Sequence, residues 1–159
     1  MSDLSTAAAA FIEVAHRIVW ATAATVTPDG EPRTRILHPI WEFDGSELTG
    51  WIATSPQSPK AADLAHRPSM SLTYWDATHD VATADCDTAW ELSLEERTAG
   101  WERFANGPQP VGYDPSLIPG WTGPEVESFG ILRLRPRSLR VMPGTLMMAG
   151  FGELHTWRR

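Results

Sequence analysis

A chain of 159 residues can close one core of ordinary size and no more, and its 42% apolar content is that of a globular protein. Its 13 basic against 20 acidic side chains give a net charge of −7, which argues against a nucleic-acid partner. No apolar run is long enough to span a bilayer, Asp3 and Glu13 stand where a signal peptide would carry basic residues, and the single cysteine, Cys86, allows no intrachain disulfide, so a cytoplasmic protein with no membrane partner is expected.

Residues 3–18 read as a helix: Asp3 or Ser5 can cap it, the alanine run favours it, and Phe11, Ile12, Ala15 and Ile18 recur at helical spacing. Val19 to Val26 is a strand of β-branched and small residues that includes Trp20, closed by the turn Pro28-Asp29-Gly30. A second strand is expected over Arg33 to Trp41, a turn at Asp44-Gly45, and a third strand over Leu48 to Thr54, the three forming an antiparallel meander. A short helix follows, with Ser58 at the N-cap, Pro59 at its first position and Pro68 beyond its end. Strands are predicted over Met70 to Trp75 and Val81 to Leu92, then a helix from the capping box Ser93/Glu96 to Asn106, broken by Gly107 and Pro108.

Residues 107–125 differ in kind, holding Pro108, Pro110, Pro115, Pro119 and Pro124 around Tyr113 and Trp121. Such a stretch inside a compact domain is either functional or a stiff surface loop with its aromatic residues tucked inward. Phe129 to Leu134 and Leu139 to Met142 read as two strand pieces separated by Pro136, and Glu153 to Arg158 as a last short strand. With no repeat and no linker, residues 1–159 form a single domain in this reading. Its class is mainly β: a barrel of six or seven strands with flanking helices.

Two segments carry chemistry. On a strand over Arg33 to Trp41, side chains alternate, so Arg33, Arg35, Leu37 and Trp41 share one face. Two arginines so placed make a concentrated positive site or an ordinary solvent-facing edge. The segment TSPQSPKAADL brings Thr54, Ser58 and Lys60 to the start of a helix, whose free N–H groups and partial positive charge attract phosphate. The alternative is that Ser58 is only a cap and Lys60 only a surface lysine.

Together these pieces resemble the pyridoxamine 5'-phosphate oxidase-like family, the FMN-binding split barrels. The resemblance runs through Arg35, Trp51-Ile52-Ala53-Thr54, Ser58-Pro59-Lys60, Leu64-Ala65-His66-Arg67-Pro68 and Met70 to Trp75, covering roughly residues 19–75. It implies a split β-barrel, FMN as cofactor, and a homodimer with the flavin at the interface. Arg35, Thr54, Ser58 and Lys60 would bind the flavin phosphate, whose about two negative charges need cations and short hydroxyl donors. Ile36, Leu37, His38, Ile52 and Ala53 would border the isoalloxazine ring. The family's second basic residue would fall near His38 or Ile40, where none stands, and Arg33 is the candidate in its place. The oxidase of pyridoxamine phosphate has an Arg-x-His arrangement near its C-terminus. Here the end reads Glu153-Leu154-His155-Thr156-Trp157-Arg158-Arg159, which points away from that substrate.

The resemblance thus implies an FMN-dependent oxidoreductase taking a small-molecule substrate and an electron donor. A deazaflavin-dependent reductase and a non-enzymatic flavin- or haem-binding stress protein share the fold. No side chain stands out as a catalytic acid or base. His16, His66, His79 and Cys86 lack metal-ligand spacing, so no metal is expected. Cys86 reads as a core residue beside Ala82, Ala84 and Trp90; Asp85, Asp87 and Glu91 read as a solvated face. Arg133, Arg135, Arg137 and Arg140 form a basic cluster that either meets an anion or offsets local acidity. Eight tryptophans point to a ligand pocket, an interface or plain core filling.

Overall fold

The computed structural model describes residues 1–159. Helix α1 (Leu4–Ile18) is followed by strands β1 (Ala21–Val26), β2 (Pro32–Leu37), β3 (Pro39–Phe43) and β4 (Leu48–Thr54), and by the short helix α2 (Lys60–His66). Strands β5 (Ser69–Trp75) and β6 (Val81–Glu91), helix α3 (Leu94–Ala105), a 3-10 turn (Pro115–Leu117), strand β7 (Gly130–Met142), helix α4 (Gly144–Ala149) and strand β8 (His155–Arg158) complete it. The strands form one antiparallel sheet in the order β2-β1-β5-β6-β7-β4-β3, with β8 also paired to β7.

The two ends of that order, β2 and β3, are consecutive in the chain and separated only by His38. One residue spans at most about 7 Å between its neighbours' Cα atoms, so the ends of the sheet must approach each other at that corner. They do not pair: β2 bonds to β1 and β3 to β4. The result is an unclosed barrel, the split barrel with flanking helices expected from the sequence.

The expected second strand, and with it the three-strand meander, is not what forms. Residues Arg33 to Trp41 form two strands, because Pro39 has no N–H to continue a ladder and disfavours other geometry before it. Trp41 therefore leaves the face of Arg33, Arg35 and Leu37. It is buried in the core, where its Nε1 donates to the Tyr74 hydroxyl at 2.8 Å and its ring meets Phe11 edge-on at 4.9 Å. The two expected strand pieces around Pro136 are likewise one strand, β7. The register shifts opposite Asp85 and Cys86, so that Cys86 faces Pro136 and Asp85 faces Ser138, and this bulge at Arg137 absorbs the proline. On the other edge β4 ends at Leu134 and β8 begins at Ser138, so no ladder asks Pro136 for a donor.

Helix α1 covers the main core with Ala7, Ala8, Phe11, Val14 and Ala15, capped by Asp3 accepting from the Thr6 N–H. A second core of Ile40, Phe104, Val111, Trp121, Phe129 and Ile131 lies under α3 and residues 107–125. Gly100 lets α3 come close: a Cβ there would stand 2.2 Å from Ile131 Cγ1. Helix α3 carries the expected capping box between Ser93 and Glu96. Helix α4 has no counterpart in the sequence reading. No helix is long and apolar enough to cross a membrane.

Candidate functional site

Strand β2 sets Arg35 opposite Ala23 of β1, and its guanidinium donates to the Ala23 and Arg33 carbonyls at 3.2 and 3.1 Å. Arg35 also lies 3.6 Å from the carboxylate of Asp63 on α2. Asp63 is buried, and its Oδ2 accepts from the buried Thr25 hydroxyl at 2.6 Å. Neither Asp63 nor Thr25 stood out in the sequence. Their only signal was the position of Asp63 in the helix that carries Lys60.

Lys60 is 7% exposed, against the expectation of a surface lysine. Its ammonium donates to Ser58 Oγ at 2.6 Å, and that hydroxyl donates in turn to the Ser55 carbonyl at 2.7 Å. Ser58 therefore does not cap α2: Pro59 takes the N-cap position and no side chain caps the helix. Burial, with the Arg35 charge opposing a second cation, pushes Lys60 down to about 8. Burial also lowers Arg35, with Asp63 acting against it. Lys60 makes no ion pair, and the one carboxylate at the site, Asp63, faces Arg35.

The remaining positions are spread around this pair. Thr54 is buried at the end of β4, opposite Gly130 and one residue before Ser55. Arg33 is exposed and lies 3.6 Å from Glu31. Ile36 points outward and is 59% exposed, whereas Leu37 packs on the main core. Ile52 is fully in that core, so its side chain is no free wall, and Ala53 packs on the second core.

His38 marks the break between β2 and β3. Its ring lies 4.9 Å from Trp20, 5.0 Å from Tyr113 and 6.3 Å from Phe104, and its enclosed Nε2 has no partner. Burial holds its pKa below the usual value. Trp20 is aimed there by Val19, whose φ of 71° and ψ of −53°, with the Trp20 N–H bonded to the Ile18 carbonyl, form a strained γ-turn. Of the two aromatic residues in 107–125, Tyr113 faces His38 and Phe104. Trp121 is tucked inward against Phe129 at 4.9 Å, with its Nε1 donating to the Ser128 carbonyl.

The other sequence candidates are accounted for locally. Arg133, Arg135 and Arg137 pair with Glu91, Glu47 and Asp87. Cys86 is buried and its thiol is pushed up by burial. Two clefts of about 350 and 340 Å³ lie beside Leu48, Pro136 and Trp157 and beside α1 and α4, and neither contains Arg35, Ser58 or Lys60. We take the cation pair as the site despite this, because a surface cleft with its charges already paired asks for no ligand, whereas a buried unpaired cation does. On the outer face of the sheet, Trp20 and Trp75 lie at the same end of the pair Thr22–Thr73, and Ile36 stands across from Thr22, all three large side chains being more than half exposed.

No family profile matches the sequence, and no curated protein matches it. Solved structures do. A pyridoxamine 5'-phosphate oxidase-related, FMN-binding protein from Nostoc punctiforme superposes with a TM-score of 0.67 at 18% identity, covering 100% of this chain and 97% of its own. General Stress Protein 26 from Bacillus anthracis gives 0.63 at 13% identity, with 96% and 98% covered. A structure described as an F420 reductase gives 0.58 at 15% identity, with 81% and 94% covered. At these identities the likeness is one of fold, shared over nearly the whole chain.

Proposed function

We propose that this chain binds FMN by its phosphate through Arg35, Ser58 and Lys60, with Thr54 and Arg33 beside them, and acts as an FMN-dependent oxidoreductase. The observation that carries the reading is Lys60: a buried ammonium with no carboxylate of its own, held by one hydroxyl and set against a second cation. A phosphate group supplies the missing negative charge; the Arg35 guanidinium supplies further donors, as does the Ser58 hydroxyl once it turns from the Ser55 carbonyl. Ile36, Leu37 and His38 on one side, and the backbone of Ile52 and Ala53 on the other, are the candidates to border the ring.

Bound flavin supplies the electron-transfer chemistry, while the protein supplies position and electrostatics. His38 is kept neutral and can only accept or donate one hydrogen bond at Nε2. No residue is assigned as a catalytic acid or base. A homodimer fits the outer face bearing Trp20, Ile36 and Trp75, since a second copy would bury this apolar surface. The single buried cysteine suits a cytoplasmic setting. The likeness to an F420 reductase favours a second reading, in which a deazaflavin takes the place of FMN.

Titration with FMN and with riboflavin, followed by flavin fluorescence quenching, tests the reading. FMN is expected to bind far more tightly, and equal affinities would remove the phosphate site. The absorbance of what co-purifies distinguishes FMN, deazaflavin and haem.

A further inference from the structure

Arg35 is held loosely by its only acid. The 3.6 Å between its guanidinium and Asp63 is well beyond the ~2.7–2.9 Å of a charge-assisted hydrogen bond, so the two attract without being locked together. Its firmer contacts are the carbonyls of Ala23 and Arg33, which carry no net charge. Asp63, by contrast, is firmly placed. Its Oδ2 takes the Thr25 hydroxyl at 2.6 Å, and both residues are buried. A buried carboxylate stripped of every partner is costly, but Asp63 keeps Thr25 whatever Arg35 does. Lys60 stands three residues before Asp63 on α2, so the helix fixes carboxylate and ammonium relative to one another.

We propose that Asp63 is the resident counter-ion of Arg35 and the residue that sets how tightly this site takes a phosphate group: it balances Arg35 when no ligand is bound and releases the guanidinium to an incoming phosphate, while Thr25 holds the carboxylate in place. The inference rests on the phosphate-binding reading above and adds to it a tuning residue. Asp63 neither touches the reacting atoms nor binds the ligand. It opposes the anion, and so holds affinity below what two cations alone would give. The Thr25 hydroxyl works the other way. By satisfying Asp63 it weakens that residue's claim on Arg35.

Two variants of the full chain therefore move in opposite directions. Asp63→Asn keeps an oxygen to accept from Thr25 and removes the charge, and is expected to bind FMN about tenfold more tightly. Thr25→Val leaves Arg35 as the sole partner of Asp63, and is expected to bind FMN about three- to tenfold more weakly. Riboflavin, without a phosphate, is expected to bind both variants and the native protein alike. Weaker FMN binding by both variants would make Asp63 simple scaffolding and overturn the inference, as would equal shifts for FMN and riboflavin. If Asp63→Asn does not fold, thermal melting of Thr25→Val and native protein in inorganic phosphate decides the matter. Smaller stabilisation of the variant supports the exchange, and equal stabilisation overturns it. A native protein that neither prefers FMN to riboflavin nor gains stability from phosphate fails the underlying reading, a result separate from both variant outcomes.

Discussion

Replacing Lys60 with methionine separates the demands of folding from those of binding. The side chain is 7% exposed, and its pKa falls from the ordinary 10.5 to about 8 because the buried cation is poorly solvated and faces Arg35. A folded-state pKa below the unfolded one means that the charged lysine opposes folding at neutral pH. At about 1.4 kcal/mol per pH unit the opposition is worth about 3 kcal/mol below pH 8. Methionine fills a similar volume without the charge. It loses the hydrogen bond to Ser58, which returns about 1 kcal/mol. Lys60→Met is therefore expected to stabilise the flavin-free protein by about 2 kcal/mol at neutral pH, while weakening FMN binding by about 1.5–3 kcal/mol, the loss of a charged donor to the phosphate. The sign carries a pH signature. Between the folded pKa near 8 and the unfolded 10.5 the native protein gains stability relative to the variant, because only its unfolded form still binds the proton. Urea denaturation of both flavin-free proteins across this range, with flavin titrations near neutrality, measures each quantity. A variant less stable than native at neutral pH, or one whose preference for FMN over riboflavin is unchanged, would refute the reasoning.

Four further outcomes follow from other parts of the structure. Light scattering is expected to give a dimer mass for the native chain and a monomer mass for Ile36→Glu, with unchanged far-ultraviolet circular dichroism; a native monomer in the presence of cofactor counts against the shared-interface reading. Tyr113→Ala is expected to keep near-normal FMN affinity and alter the range of electron acceptors turned over, because the ring faces His38; unchanged kinetics over a broad panel would rule this out. Trp121→Ala, by contrast, is expected to destabilise the fold by about 3–5 kcal/mol through loss of its packing on Phe129, measured by the same denaturation assay. Gly100→Ala is expected to cost about 1–3 kcal/mol and lower the melting temperature, since the new methyl group meets the Ile131 side chain; an unchanged melting temperature would show that α3 can shift freely.

Much of the architecture was legible where it depends on a few adjacent residues. The Pro28-Asp29-Gly30 and Asp44-Gly45 turns carry glycines at φ 90° and 98°, a backbone that glycine adopts at no steric cost, and they close the two hairpins where the sequence placed them. Ser93 and Glu96 cap α3 reciprocally over three residues. Arg35, Ser58 and Lys60 were singled out by residue type and spacing, and the structure brings them to one place. His38 was singled out too, but its neighbours were not: Trp20 and Tyr113 reach it from distant positions in the chain, and no local pattern pairs them.

The sequence by itself thus determined the local elements and the residue types of the site, because capping, turn formation and strand alternation are decided within a few residues. The tertiary structure decided what depends on distant partners. Pro136 breaks a strand on paper, yet β7 runs through it because β7 bulges at Arg137 and no strand pairs with its other edge at Pro136. Lys60 reads as a surface lysine, yet packing buries it and lowers its pKa. Asp63 reads as one more helical acid, yet Thr25, 38 residues earlier, and Arg35 on the neighbouring strand meet it inside the fold. Burial and the identity of a charge's partners arise only when the sheet curls and sets α2 against β1, and those two quantities govern the electrostatics of the site.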